Sequence, residues 1–218
     1  MTKKTPDAPS SRTRVRRIPE LANYEKDALH GVIDEAYVCH IAFSDVNGTH
    51  CIPTACWRID DHLYIHGSNG GRLTKALLSG TQASVAITHV DALVLARSAF
   101  SHTMNYRSAV IYGVFEEVNG SPEKMRALDA FMDKIAVGRK NEARPGNEKE
   151  LAATTVLRIS LNEAVSKISD TTPEDKPEDQ DLRVWAGVLP MCLKRGLPQP
   201  SENGSVPTPG YVTDWPSV

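Results

Sequence analysis

The stretch HGSNGGR, residues 66–72, marks the point at which the hydrophobic pattern changes from strand-like to helical. Its glycines allow backbone N–H groups to approach an anion, and a helix that starts after them adds partial positive charge. Ser68 supplies a hydroxyl, and Arg72 supplies a guanidinium that matches two phosphate oxygens. The turn therefore predicts an anion site, although a plain strand-to-helix connection explains the same residues equally well.

Upstream of the turn, three strand-like runs follow one another with short connections. Residues 20–35 have the spacing of an amphipathic helix, and residues 37–43, 50–58 and 63–66 are rich in β-branched and aromatic side chains. An Asn-Gly pair at 47–48 is a strong hairpin signal. The pattern predicts an antiparallel meander that ends at the glycine turn.

Downstream of the turn, strands dominate again. The strand-like runs are residues 83–88, 92–96, 106–118 and 155–161, and the helical runs are residues 72–78, 122–136 and 148–153. Short antiparallel strands with single helical insertions are typical of a small barrel. We therefore expect a mainly β, α+β fold with six to seven antiparallel strands.

Changes in composition divide the chain into three parts. Residues 1–17 are polar and basic, and we expect a disordered arm. Residues 18–168 carry the pattern of the barrel domain. Residues 169–218 begin with an acidic, proline-containing loop and end in a stretch rich in proline, glycine and serine. We expect this part to be a loop-rich extension that packs on the barrel or on a partner subunit.

The composition is that of an ordinary globular protein and argues against several classes. The 218 residues are 40% hydrophobic with a net charge of −2, so no global field attracts nucleic acid or an anionic membrane. No apolar run is long enough to span a bilayer. The four cysteines form no C-x-x-C pair, so we expect buried free thiols in a reducing cytoplasm and no metal site. The glycine turn matches neither the P-loop nor the dinucleotide fingerprint.

A second polar group opens the long strand, at Asn105-Tyr106-Arg107-Ser108. Asn105 and Ser108 can exchange hydrogen bonds with a polar heteroaromatic ring, which Tyr106 can flank. The alternative is an edge strand with ordinary polar residues. No Ser–His–Asp or Cys–His arrangement is supported by residue order, so no catalytic residue is assigned.

Several of these runs, in this order, resemble the pyridoxamine 5′-phosphate oxidase-related flavin-nucleotide-binding proteins, to which the nitroimidazole resistance proteins are related. The resemblance covers roughly residues 14–195. Its most specific part is R-S-A-F-x-H-x-M-N-Y-R-S at 97–108. The other runs that carry it are residues 39–43, 52–54, 63–68, 72–73, 93–96, 112–113, 150–154 and 185–190.

The resemblance implies a split β-barrel of the FMN-binding type and a homodimer with FMN at the subunit interface. It implies that the glycine turn contacts the flavin phosphate and that Trp185 approaches from the other subunit. The cofactor-binding residues implied are Thr54, His66, Gly67, Ser68, Arg72, Asn105, Tyr106, Arg107, Ser108, Lys167 and Trp185.

The implied activity is that of an FMN-dependent oxidoreductase with a nicotinamide donor, NADH or NADPH, and a small acceptor. A non-catalytic flavin-binding or sensing module and a haem-binding split barrel are the alternatives. Relatives that oxidise pyridoxamine phosphate usually carry a serine-arginine-lysine cluster where this chain has Gly71-Arg72-Leu73. We therefore do not expect a true pyridoxamine 5′-phosphate oxidase.

Overall fold

The computed structural model describes residues 7–202, 204 and 206–213. The α-helices are α1 (Lys26–Glu35), α2 (Arg72–Leu78), α3 (Ser121–Ile135), α4 (Glu148–Ala153) and α5 (Gly210–Thr213). The strands are β1 (Ala22–Asn23), β2 (Val38–Asp45), β3 (Gly48–Ala55), β4 (Trp57–Ile59), β5 (His62–Ser68), β6 (Ala83–Leu95), β7 (Thr103–Gly113), β8 (Glu116–Glu117), β9 (Thr154–Ser160), β10 (Ala164–Ser169) and β11 (Gly187–Pro190).

The strands form two sheets in which every described pairing is antiparallel. The larger sheet has the order β1-β10-β7-β6-β2-β3, with β11 added to β6, and the smaller has the order β4-β5-β9-β8. Consecutive strands β3 and β4 belong to different sheets, so the barrel is split beside β3. The expected mainly antiparallel α+β fold is confirmed, as two sheets rather than one closed barrel.

The main core lies between the two sheets and under α1. Alternate residues of β2 point into it, including the fully buried Ile41, and Leu63 and Ile65 of β5 meet them. A second cluster, around Trp57 and Tyr64, lies between the other face of the small sheet and α3. Strand β5 is therefore buried on both faces, which explains its continuous apolar run.

Four strands differ from the sequence-based expectations. Strand β6 runs through residues 83–95 without a break, because a bulge between Val90 and Ala92 absorbs Asp91, whose carboxylate is paired with Arg107 at 2.9 Å. The next strand ends at Gly113 rather than at residue 118. Strand β10 was not predicted, and β11 forms from the apolar run at 183–190.

The described part of the expected N-terminal arm lies against the barrel domain. Thr13 is buried, and the Arg12 guanidinium pairs with Glu163 at 2.7 Å and lies over the Tyr112 ring. The division of the chain at residues 17 and 168 stays a prediction. The parts of both terminal segments at 1–6, 203, 205 and 214–218 lie outside the described residues.

All four cysteines are free thiols. Cys39 and Cys56 are buried as expected, whereas Cys51 and Cys192 are exposed. Among the described residues, no helix is both long and apolar enough to cross a membrane.

Candidate functional site

A cleft of ≈ 290 Å³ lies at the split between the two sheets, beside α2. Its walls come from β3, β5, β9 and α2, and it is lined by Ile52, Pro53, Thr54, Ile65, His66, Gly67, Ser68, Gly71, Arg72, Leu73, Thr74 and Leu157. Its volume is near the lower limit of about 300–1,000 Å³ for pockets of small ligands. The cleft therefore has room for a phosphate and part of a chain, and a complete flavin nucleotide would extend beyond it.

The glycine turn is clamped to β9. The β5–β9 ladder ends where Ser68 pairs with Thr154. One residue later, the Asn69 amide donates to the Ala152 carbonyl at 2.8 Å and accepts from the Thr155 hydroxyl at 2.8 Å. The backbone of the turn is thus held by the protein itself before any ligand arrives.

Two glycines permit the close approach of α2 to β5. A Cβ atom at Gly67 would lie 2.8 Å from Thr74 Oγ1, and one at Gly71 would lie 3.2 Å from the Ser68 carbonyl oxygen. Both distances are shorter than ordinary contacts, so larger residues would displace the helix or the turn. The glycines therefore serve close packing.

The side chains around this turn fit a phosphate. The first N–H groups of a helix have no intrahelical acceptor, and at the start of α2 no side chain of Gly71 caps them. The Ser68 hydroxyl and the Arg72 guanidinium are exposed beside them. The backbone N–H groups and the guanidinium only donate hydrogen bonds, and the guanidinium is positively charged. The hydroxyl can donate as well as accept. The donor set suits an anion.

His66 lines the cleft, but its ring belongs to the opposite face of β5. The ring centroid lies 5.7 Å from that of Trp57 and 4.7 Å from that of Phe131. Its buried Nδ1 has no hydrogen-bond partner among the described residues. Burial lowers the pKa of His66. The ring therefore packs against Trp57 and Phe131. The flavin contact of His66 stays a prediction.

The second predicted group lies on the far side of the large sheet. Strand β7 is separated from β3 by two strands, which amounts to about 14 Å along the sheet. Asn105 is buried and exchanges hydrogen bonds of 2.9 Å with the backbone of Thr171. Arg107 pairs with Asp91 and Glu35. One chain therefore does not bring this group to the cleft.

The remaining predicted residues also lie outside the cleft. The Ser108 hydroxyl donates to the Lys167 carbonyl at 3.3 Å, and the Lys167 ammonium donates to the Arg17 carbonyl at 3.2 Å. Tyr106 lies on β7, opposite Val90 of β6. Trp185 is 65% exposed, just before β11. The structure thus places Thr54, His66, Gly67, Ser68 and Arg72 around one cleft and the other six predicted residues elsewhere.

Sequence reasoning missed Thr74, whose buried hydroxyl packs against Gly67. The sequence does contain a signal for Thr74. It is a polar residue in the first turn of the helix that follows the predicted anion-binding turn, in the pattern Arg-x-Thr at 72–74. Ile52 and Leu73 were also missed, because ordinary apolar residues carry no signal of their own.

A larger groove of ≈ 640 Å³ runs along α3 and is lined by Ser121, Pro122, Met125, Arg126, Asp129, Ala130, Asp133 and Lys140. Seven of these eight residues belong to α3, and the Lys140 ammonium already pairs with Asp133 at 2.6 Å. The groove is an open helix surface without converging polar groups, and we do not consider it the functional site.

Comparison with known proteins agrees with this fold. The pyridoxamine 5′-phosphate oxidase family model matches residues 25–168. None of the curated proteins matches the sequence.

Three solved structures are similar. The flavocytochrome Anf3 from Azotobacter vinelandii is 33% identical, covers 96% of this chain and 98% of its own, and has a TM-score of 0.90. An FAD and haem binding protein from Mycobacterium smegmatis is 32% identical over 89% of this chain and 96% of its own, with a TM-score of 0.85. A putative 5-nitroimidazole antibiotic resistance protein from Bacteroides thetaiotaomicron is 20% identical over 67% of this chain and 86% of its own, with a TM-score of 0.58. This likeness is one of fold alone.

The packing of Gly67 against Thr74 gives the first prediction. Gly67→Ala should lower the free energy of unfolding by about 1–3 kcal/mol, because the added Cβ meets Thr74 Oγ1. Gly70→Ala, which has nothing within 4 Å, is the matched control. Urea unfolding measures both. Thr74→Ala in the Gly67→Ala background should recover part of the loss, and a Gly67→Ala variant as stable as Gly70→Ala would contradict the packing.

The buried His66 ring gives the second prediction. Because its folded pKa is lowered, the unfolded chain binds a proton first as the pH falls below about 6.5, and stability is lost there. Thermal unfolding between about pH 7 and 5.5 should show this loss in the native protein. His66→Phe should flatten the slope, whereas the exposed His40→Gln should leave it unchanged. An unchanged slope in His66→Phe would exclude this origin.

Proposed function

Since the chain belongs to the pyridoxamine 5′-phosphate oxidase family, we propose that it is a flavin-binding redox protein that also carries haem. The observation that carries the flavin part is the cleft at the split, where the glycine turn, Ser68 and Arg72 form an anion site. The flavin phosphate binds there, and the ring extends beyond the cleft. When bound, the flavin takes a hydride from a nicotinamide donor and passes the two electrons to an acceptor.

The protein part of this function is binding and placement. Arg72 holds the phosphate through its fork of donors, Ser68 adds a hydrogen bond, and the wall of Thr54, Gly67 and Thr74 shapes the space. Because Asn69 ties the glycine turn to β9, the backbone of the turn needs little ordering on binding.

A second copy of the chain completes the site in this proposal. The ≈ 290 Å³ cleft is too small for the whole flavin, and Asn105 to Ser108, Lys167 and Trp185 lie elsewhere on the same chain. In a homodimer, residues of this second group come from the partner and approach the flavin ring. Their flavin contacts are a prediction from the family resemblance.

The flavin is FMN or FAD. The sequence-based prediction is FMN, but the relative from Mycobacterium smegmatis is described as an FAD and haem binding protein. Both nucleotides place the same phosphate next to the ribityl chain, so the cleft accepts either. We favour FAD, and chromatography of the cofactor released from the purified protein distinguishes the two.

Haem enters the proposal through the two full-length relatives, one described as a flavocytochrome and the other as an FAD and haem binding protein. The sequence-based prediction includes a haem-binding split barrel as an alternative. Here haem accompanies the flavin and supplies a carrier that exchanges one electron at a time.

The role of Arg72 gives the third prediction. Arg72→Ala should weaken flavin affinity by about 10–100-fold, since a hydrogen bond to a charged group contributes about 1.5–3 kcal/mol. Lys75→Ala, one turn further along α2, is the matched control and should retain the affinity of the native protein. Titration of the apoprotein followed by flavin fluorescence measures both. Equal affinities of Arg72→Ala and the native protein would show that the phosphate lies elsewhere.

The redox activity gives the fourth prediction. Under anaerobic conditions, NADH or NADPH should bleach the visible absorption of the bound flavin, and an added acceptor should restore it. The measurement is a stopped-flow spectrum of the purified, flavin-loaded protein. If dithionite reduces the flavin but neither nicotinamide donor does, the protein is a flavin-binding module rather than a nicotinamide-dependent oxidoreductase.

A further inference from the structure

Three exposed apolar side chains lie side by side across three strands. Met104 of β7 pairs with Leu93 of β6, and Leu93 pairs with Leu189 of β11. Directly paired residues of adjacent strands point to the same face of a sheet. Their exposed fractions are 46%, 36% and 52%, so this row is open to solvent in the single chain.

Trp185 extends this row. A Cβ atom at Gly187 would lie 2.7 Å from the Trp185 ring, so the ring covers Gly187 on its side-chain face. Gly187 lies two residues before Leu189, and alternate residues of a strand share a face. Leu93, Met104, Trp185 and Leu189 therefore form one exposed surface, the apolar platform.

His102 stands at the edge of the apolar platform. Its backbone is extended, at φ −65° and ψ 137°, and it lies two residues before Met104, on the same side of the chain. Its Nδ1 lies 3.0 Å from the Ser98 carbonyl oxygen. A carbonyl oxygen only accepts, so Nδ1 carries the proton, and Nε2 of the neutral ring keeps its lone pair. This is the tautomer of histidines that bind a metal through Nε2.

The turn before His102 is held in place by a buried carboxylate. The Asp175 side chain is 1% exposed and accepts hydrogen bonds from the Arg97 backbone at 2.7 Å and the Arg97 guanidinium at 2.8 Å. The turn also closes on itself, because Ser101 N–H donates to the Ser98 carbonyl at 3.2 Å. His102 therefore follows an anchored segment.

Other histidines have different surroundings. Three of them already have a ring nitrogen near an oxygen atom. These pairs are His30 with Asp61, His50 with Asp45, and His89 with the Val32 carbonyl. His40 is exposed like His102, but its cross-strand neighbours are Pro53 and Ala86 rather than large apolar side chains. His102 combines an available ring nitrogen with an adjacent apolar surface.

We propose that His102 is an axial ligand of the haem iron and that the apolar platform covers one face of the haem. The proposal rests on haem binding as part of the proposed function. A porphyrin is a large, flat and largely apolar group, and burial of the four exposed side chains against it is favourable. The Nδ1–H···O=C hydrogen bond from His102 to Ser98 orients the ring and makes Nε2 a better ligand.

This site agrees with the predicted position of Trp185 near the flavin. One face of the Trp185 ring covers Gly187, and the residue is 65% exposed in the single chain. Electron transfer between the flavin and the haem requires a short distance between the two cofactors. A tryptophan that contacts the haem and reaches the flavin of the partner subunit satisfies both assignments.

The fifth prediction tests His102. Purified protein is titrated with hemin and followed by the Soret band and by electron paramagnetic resonance. His102→Ala should lose the spectrum of histidine-ligated haem, and added imidazole should restore it. His40→Ala is the matched control and should titrate like the native protein. The flavin content and the thermal unfolding of each variant are measured on the same samples, which separates a lost ligand from a lost fold.

A second variant tests the apolar platform. Leu189→Asp introduces a charge on the surface and should weaken hemin binding without changing flavin content. If His102→Ala binds hemin with the affinity and spectrum of the native protein, the proposal is wrong although haem binding stands. If the native protein binds no hemin but retains flavin, both the proposal and the haem part of the function are wrong. If Leu189→Asp only converts a dimer to a monomer, the surface is an interface between two copies instead.

Discussion

The close packing of Gly67 against Thr74 is the constraint on which the rest of the site depends. Strand β5 cannot move, because Leu63 and Ile65 are buried in the main core on one face and Tyr64 in the second cluster on the other. Helix α2 approaches this fixed strand at a residue without a side chain, where a Cβ would be 2.8 Å from Thr74 Oγ1. That contact places the start of α2 at the split between the sheets. The anion site is thus a consequence of the packing.

Local signals predicted α2, α3 and α4 and the cleft side of the site, whereas the first helix begins six residues later than the predicted residue 20. The glycine turn ends β5, and the bounds of α2 agree with the predicted residues 72–78. The capping box at Asn147 and Glu150 marks α4 in the same way. These features depend on residues close together in the chain, and their chemistry can be read from the sequence.

Features that depend on distant pairing could not be read in this way. Strand β11 exists because Gly187 to Pro190 pair with β6, some ninety residues earlier, and no nearby residue signals that partner. The orientation of His66 depends on whether β5 has one buried face or two, which is settled by α3 rather than by the strand itself. The backbone partner of the Asn105 amide, Thr171, likewise lies 66 residues later in the chain.

The two proposed cofactor sites lie at different places on the large sheet. Ala86 of β6 is level with Pro53 beside the cleft, and Leu93 of the apolar platform is seven residues further, about 23 Å along the strand. Within one chain, this separation keeps the two proposed cofactor sites apart. The proposed homodimer offers a shorter path between cofactors of different subunits.

The most direct measurement is a crystal structure of the protein with its flavin bound. The account predicts that the flavin phosphate lies in the cleft at the split, within hydrogen-bond distance of the Ser68 hydroxyl and the Arg72 guanidinium, with the ring covered by a second subunit. A phosphate bound away from α2, or a flavin enclosed by a single chain, would contradict it.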